Sequence, residues 1–161
     1  MKYIDEVDPS SSTSRLLAWE ALRKYPTKAL INLLDDPEIE VRTLAARELQ
    51  LRGGRNLLNL GAEMLASRSP ARRALGAFLL GQLGAPRLPF ATKTGELFER
   101  LLAREKSRDV VEVALYALGH VGGKEKLTNG KLRELVKARS QSSNSGMRRA
   151  ARFALRSFEK R

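Results

Sequence analysis

The chain has 161 residues, no cysteine, 42% hydrophobic residues and a formal net charge of +12. That length supports a single domain with a sizeable core, and the lack of cysteine excludes disulfides, thiolate nucleophiles and cysteine metal sites. No run reaches the ~18 apolar residues of a membrane span, and the opening MKYIDEVDPSSSTSR lacks a signal peptide's apolar stretch, so a soluble cytoplasmic protein with no membrane partner is expected.

Taken in chain order, the residues predict helices and no strand, since no stretch alternates apolar and polar positions. The pattern RLLAWEAL (15–22) is followed by TKALINLL (27–34). Asp36-Pro37 then reads as an N-cap with proline at the first helical position, opening VRTLAARELQLRG (41–53). NLLNLGAEMLA (56–66) leads to Ser69-Pro70, a second cap of that kind, and RRALGAFLLGQLG (72–84). The segment GAPRLPFATK (84–93) is expected to be a loop before GELFERLLA (95–103). A helix ending ALGHVGG (117–123), the loop 122–129, GKLRELVKA (130–138), the loop SQSSNSG (140–146) and MRRAARFALRSF (147–158) complete the chain. Gly53, Gly84 and Gly122 stand where C-terminal glycine caps are expected.

Every second helix fits one frame. Leu22, Leu49, Leu80, Leu118 and Leu155 anchor it at spacings of 27, 31, 38 and 37 residues. Five residues before each anchor stand Leu17, Leu44, Leu75, Val113 and Ala150, and four before stand Ala18, Ala45, Gly76, Ala114 and Ala151. These positions share a helical stripe, and the small residue admits a close neighbour. Seven before come Arg15, Arg42, Arg73, Val111 and Arg148, read as a structural ladder reaching the neighbouring repeat. Each unit is a helical hairpin that buries its apolar face only by stacking on the next. The expected fold is an all-α, right-handed α-solenoid over residues 1–161, with about four hairpins and a final unpaired capping helix.

The motif VRTLAARELQLRG, echoed by MRRAARFALRSF, resembles the HEAT-repeat family in its short, phycobilisome-lyase-like form. More narrowly, LLDD, ARELQLRGG and RRALGAFLLGQLG (within 33–84) are similar to the YibA-type HEAT proteins encoded beside Rhs toxin genes in enterobacteria. That resemblance implies an immunity role: binding a toxin, without catalysis. This chain departs from the family in being shorter and far more basic toward its C-terminus.

Little in the residues points to chemistry. His120 is the only histidine and reads as a packing or capping group, which leaves no His/Cys metal cluster. GHVGGKE (119–125) lacks the spacing, the Ser/Thr and the preceding strand of a phosphate loop. Asp35, Asp36, Glu38 and Glu40 are read as compensating a helix start. No cofactor or metal is implied, and a non-enzyme is expected.

Charge carries the remaining functional signal. Residues 1–60 hold 9 basic and 9 acidic residues, whereas 61–161 hold 21 and 9. On the second helices, which line the concave side of such stacks, the candidate contacts are Lys28, Arg100, Arg104, Lys131, Arg133, Lys137 and Arg139. On the last helix Arg148, Arg149, Arg152, Arg156 and Lys160 oppose an apolar face, with Phe153 beside them and exposed to a partner. The expected partner is a protein with an acidic surface, such as a cognate toxin. Nucleic acid is the alternative, with an enzyme or lyase subunit a distant third, and a homodimer through the C-terminal end is a further possibility.

Overall fold

The computed structural model describes residues 9–122 and 130–159, with side chains from Leu16 onward. The expected loop over 123–129, including Lys124, and the expected Lys160 lie outside the described residues. Among the described residues nine α-helices follow one another: α1 (Pro9–Leu22), α2 (Thr27–Asn32), α3 (Ile39–Arg52), α4 (Arg55–Leu65), α5 (Pro70–Gly81), α6 (Ala91–Arg104), α7 (Arg108–Val121), α8 (Gly130–Arg139) and α9 (Ser145–Glu159). A 3₁₀ turn, Leu33–Asp35, extends α2, and no strand occurs among the described residues.

The chain divides into two compact units, Met1–Leu49 and Gln50–Arg161, the boundary falling inside α3. Within the first, Leu30, Leu34, Ala45, Ala46 and Leu49 are buried. The second is a two-layered helical stack of the α-solenoid kind. Helix α7 packs between α5 and α9 in one layer, and α6 packs between α4 and α8 in the other. The pairs α4 with α5, α6 with α7, and α8 with α9 join the layers.

Small residues set how closely these helices approach. A β-carbon on Gly76 would lie 2.6 Å from that of Met64, so α5 presses on α4 at this point. One on Gly81 would lie 2.6 Å from the β-carbon of Ala117, which brings α5 equally close to α7. Leu80, Leu115, Leu118 and Phe98 fill the spaces between, each at most 1% exposed. The expected close-approach position four before each anchor is buried at Ala45, Gly76, Ala114 and Ala151.

In α3, α5 and α7 the buried stripe is rotated from the expected one, whereas Ala150 in α9 is buried as expected. Leu44, Leu75 and Val113, five before their anchors, are only half-buried, and Leu17 is 64% exposed. The positions three before, Ala46, Ala77 and Leu115, are the buried ones. A helix packed on two sides buries a wider arc than one apolar stripe, and the arc centres between both neighbours. Anchors Leu22 and Leu155 are half-buried, unlike the three between them.

Caps follow local chemistry with three corrections. Ser69 does cap α5, its hydroxyl accepting from the Arg72 N–H at 3.4 Å, with Pro70 in the first turn. Gly53 and Gly84 take φ of 62° and 79°, the left-handed conformation that glycine adopts at least cost. Gly122 does not, since its φ is −65°. Pro37 precedes α3 rather than opening it: the Asp36 carboxylate accepts from the Glu38 N–H at 2.9 Å, closing a turn ahead of Ile39. Helix α6 begins at Ala91, four residues before the expected start, because Leu88 and Ala91 bury against Val121 and Thr94 is 1% exposed. Tertiary burial there overrides a segment, ATKT, with no apolar period of its own.

Candidate functional site

Three of the in-frame arginines, Arg42, Arg73 and Arg148, are structural, by a route the sequence did not show; the side chain of Arg15 lies outside the described residues. Arg42 donates from Nη1 to the carbonyls of Asp36 and Pro37, at 2.6 and 2.9 Å. Arg73 donates to Ser67 and Arg68 at 3.0 and 2.9 Å, and Arg148 to Ser142 and Ser143 at 2.8 and 2.6 Å. Each guanidinium thus fastens the carbonyls six and five residues before it, tying its helix to its own preceding loop rather than to a neighbouring repeat. Of these three, Arg73 also crosses to the next repeat, its Nε and Nη2 meeting Glu105 at 2.6 and 2.9 Å.

Glu105 stands six residues before Val111, where the frame lacks arginine. Its carboxylate accepts the N–H groups of Lys106 and Ser107, so the loop before α7 is held by the arginine of the preceding repeat. The hydrogen bond from Arg73 holds the Glu105 carboxyl below the usual carboxylate range and raises Arg73 further.

Several candidate contacts on the second helices also serve the stack. Arg104 reaches the Leu65 carbonyl at 3.5 Å and Arg139 the Leu102 carbonyl at 3.3 Å. Each places a cation at the C-terminal end of the preceding second helix, where the helix dipole favours positive charge. Lys131 lies 3.6 Å from Glu99, and Arg133 3.2 Å from Glu159. Arg100 is exposed near Glu96, whose carboxyl is lowered first by its hydrogen bond with Lys93 and least by Arg100. Lys137 is exposed; Lys28, also exposed, belongs to the first unit.

The last helix gathers the other candidates. Arg148, Arg149, Arg152 and Arg156 line an open cleft of about 600 Å³ with Ser145, Leu155 and Glu159. Arg149, Arg152 and Arg156 are exposed, and they recur at a spacing that keeps them on one side of the helix. The opposite face buries Met147, Ala150, Ala151, Ala154 and Ser157, so alanines let α9 lie close on α7 and turn the arginines outward.

Phe153 is not on that surface. Its ring packs on α7, with centroids 6.0 Å from Tyr116 and 5.4 Å edge-on from His120. A β-carbon at Gly119 would lie 2.1 Å from the ring, so the missing side chain there makes the notch that receives it. The expected exposure of Phe153 to a partner is therefore corrected: its ring packs on α7. His120 is exposed with its ring edge-on to Phe153, and partial desolvation lowers its pKa.

No protein-family model matches the chain. It is similar to Protein YibA of Escherichia coli K12, 28% identical over 133 residues, which are 83% of this chain and 47% of that protein. YibA of E. coli O157:H7 gives the same figures. The crystal structure of E. coli YibA superposes with a TM-score of 0.78 at 26% identity, over 89% of this chain and 52% of that one. The chain spans about half the length of the curated relatives it matches, and its sequence and helical fold are YibA-like.

Proposed function

We propose that this is a non-catalytic HEAT-type module whose α9 face binds a carboxylate-rich surface of a protein, most concretely a bacterial toxin neutralised by the chain as its cytoplasmic immunity protein. The observation that carries the reading is the cleft on α9. Arg149, Arg152 and Arg156 stand along one side of it with a single carboxylate, Glu159, among the lining residues. Arg133 already meets that carboxylate. Seven residues of helix place the outer two arginines ~10.5 Å apart along the axis, a span that suits a row of carboxylates. The likeness to YibA, together with the resemblance of residues 33–84 to HEAT proteins encoded beside toxin genes, supports an immunity role. Nucleic acid is the second reading, favoured by the same cations. Phe153, the aromatic that would have offered a base a stacking surface, is turned into α7, which leaves phosphate contact alone.

The test is growth of bacteria coexpressing this chain with a candidate toxin domain taken from a neighbouring gene. Wild-type chain restores growth, and the triple reversal Arg149→Glu, Arg152→Glu, Arg156→Glu loses the rescue while keeping its helical circular dichroism. Equal rescue by the reversal overturns the α9 assignment. Absence of rescue together with tight, steeply salt-dependent binding to a DNA duplex moves the conclusion to nucleic acid.

A further inference from the structure

Two exposed features of opposite charge stand in the two units. In the first, segment 35–40 leaves the 3₁₀ turn and enters α3 with the sequence Asp-Asp-Pro-Glu-Ile-Glu. Glu38 and Glu40 are exposed, and Ile39 between them is 62% exposed. In the second, Arg152 and Arg156 flank Leu155 in the α9 cleft. Acid, isoleucine, acid on one surface complements arginine, leucine, arginine on the other, in both charge and apolar centre.

We propose that the chain associates with itself head to tail, segment 35–40 of one copy seating in the α9 cleft of a second copy. Glu38 and Glu40 would meet the guanidinium groups of Arg152 and Arg156, and Ile39 would cover Leu155. Charge segregation favours this orientation over others. Residues 61–161 carry 21 basic against 9 acidic residues, so two such halves repel, whereas residues 1–60 balance at 9 and 9 and meet no net repulsion. The contact is heterologous, since the two surfaces differ, so it continues from copy to copy unless the rotation closes a ring. A few exposed ion pairs around one apolar contact make a weak interface, with Kd on the order of 0.1 mM and a strong dependence on salt. The inference shares the α9 face with the reading above but needs no foreign partner, so either can fail alone.

Sedimentation equilibrium of the full chain tests it at about 50 mM and about 0.5 M salt, where the Debye length falls to a few ångströms. The expected result is a mass above the monomer at low salt that returns to the monomer at high salt. Two variants separate the surfaces: Arg152→Glu with Arg156→Glu, and Glu38→Arg with Glu40→Arg. All four side chains are exposed, so both variants retain the helical circular dichroism of the parent. Each variant alone is monomeric, and an equimolar mixture reassociates at low salt, because each then offers the surface its counterpart requires. A wild-type chain that stays monomeric at low salt overturns the proposal. So does association that survives both charge reversals, or a mixture no heavier than its components.

Discussion

Replacing Arg73 by methionine tests the idea that one guanidinium holds two loops. The side chain makes two bonds to Glu105 and one to each of the Ser67 and Arg68 carbonyls, and its exposure is 17% against 4% for Glu105. Methionine keeps most of the apolar stem but removes every donor. Glu105 would then be a buried carboxylate supported only by the Lys106 and Ser107 N–H groups. Breaking a buried pair by removing one partner costs roughly 3–5 kcal/mol. Arg73 is partly open to water and lines a cleft with Arg104 and Lys106, which sets the expected loss at the low end, about 3 kcal/mol. Arg148→Met is the internal control. Its Nη1 bonds only loop carbonyls, Ser142 and Ser143, and water can replace it there, so its loss is about 1 kcal/mol. Urea unfolding followed by far-UV circular dichroism measures both, and a double-mutant cycle with Glu105→Gln isolates the pair. A cost for Arg73→Met no larger than for Arg148→Met, or a coupling below about 0.5 kcal/mol, would refute the bridging role.

Leu80→Ala is expected to destabilise by about 3 kcal/mol, because Leu80 is 1% exposed and its side chain fills the space over Gly61. A loss under about 0.5 kcal/mol in the same urea assay would contradict the packing described. The Arg73–Glu105 pair also predicts a pH dependence. Its folded-state carboxyl is depressed, so the stabilisation is complete above the ordinary glutamate range and is lost as pH falls through the lowered value. The stability gap between wild type and Arg73→Met should therefore narrow from about pH 7 to about pH 3, and a constant gap would falsify the assignment.

The helices were legible because apolar and small residues recur at fixed places, and Leu49, Leu80 and Leu118 are fully buried where the frame puts them. What the pattern could not show is how far a buried arc extends when a helix touches neighbours on two sides. That is why Ala77 and Leu115, on helices packed between neighbours, replace Leu75 and Val113 in the core. The early start of α6 was hidden for a related reason: Ala91 and Thr94 are buried by tertiary contact, and neither residue type announces it. Phe153 falls among the cations on a helical wheel with one packing surface, yet its ring packs on α7. Its notch is made by an absent side chain at Gly119, on a helix 34 residues earlier.

The same limit governs the arginines, and it shows how their two roles can be told apart. Net charge counts Arg73, Arg148 and Arg152 alike, yet the first two spend donors on carbonyls within six residues of themselves and are half-buried, whereas Arg152 is exposed. The difference lies in the preceding chain. An arginine early in a helix faces the loop that delivers it, and that loop's carbonyls have no helical partner to satisfy them. Arg152 and Arg156 sit deeper in α9, about two and three turns from the loop that delivers it, and both are exposed. Position within the helix, rather than the number of cations, therefore separates those that build this stack from those available to a partner. By that criterion Arg108, at the first residue of α7, should contribute to binding far less than Arg152, although both are exposed.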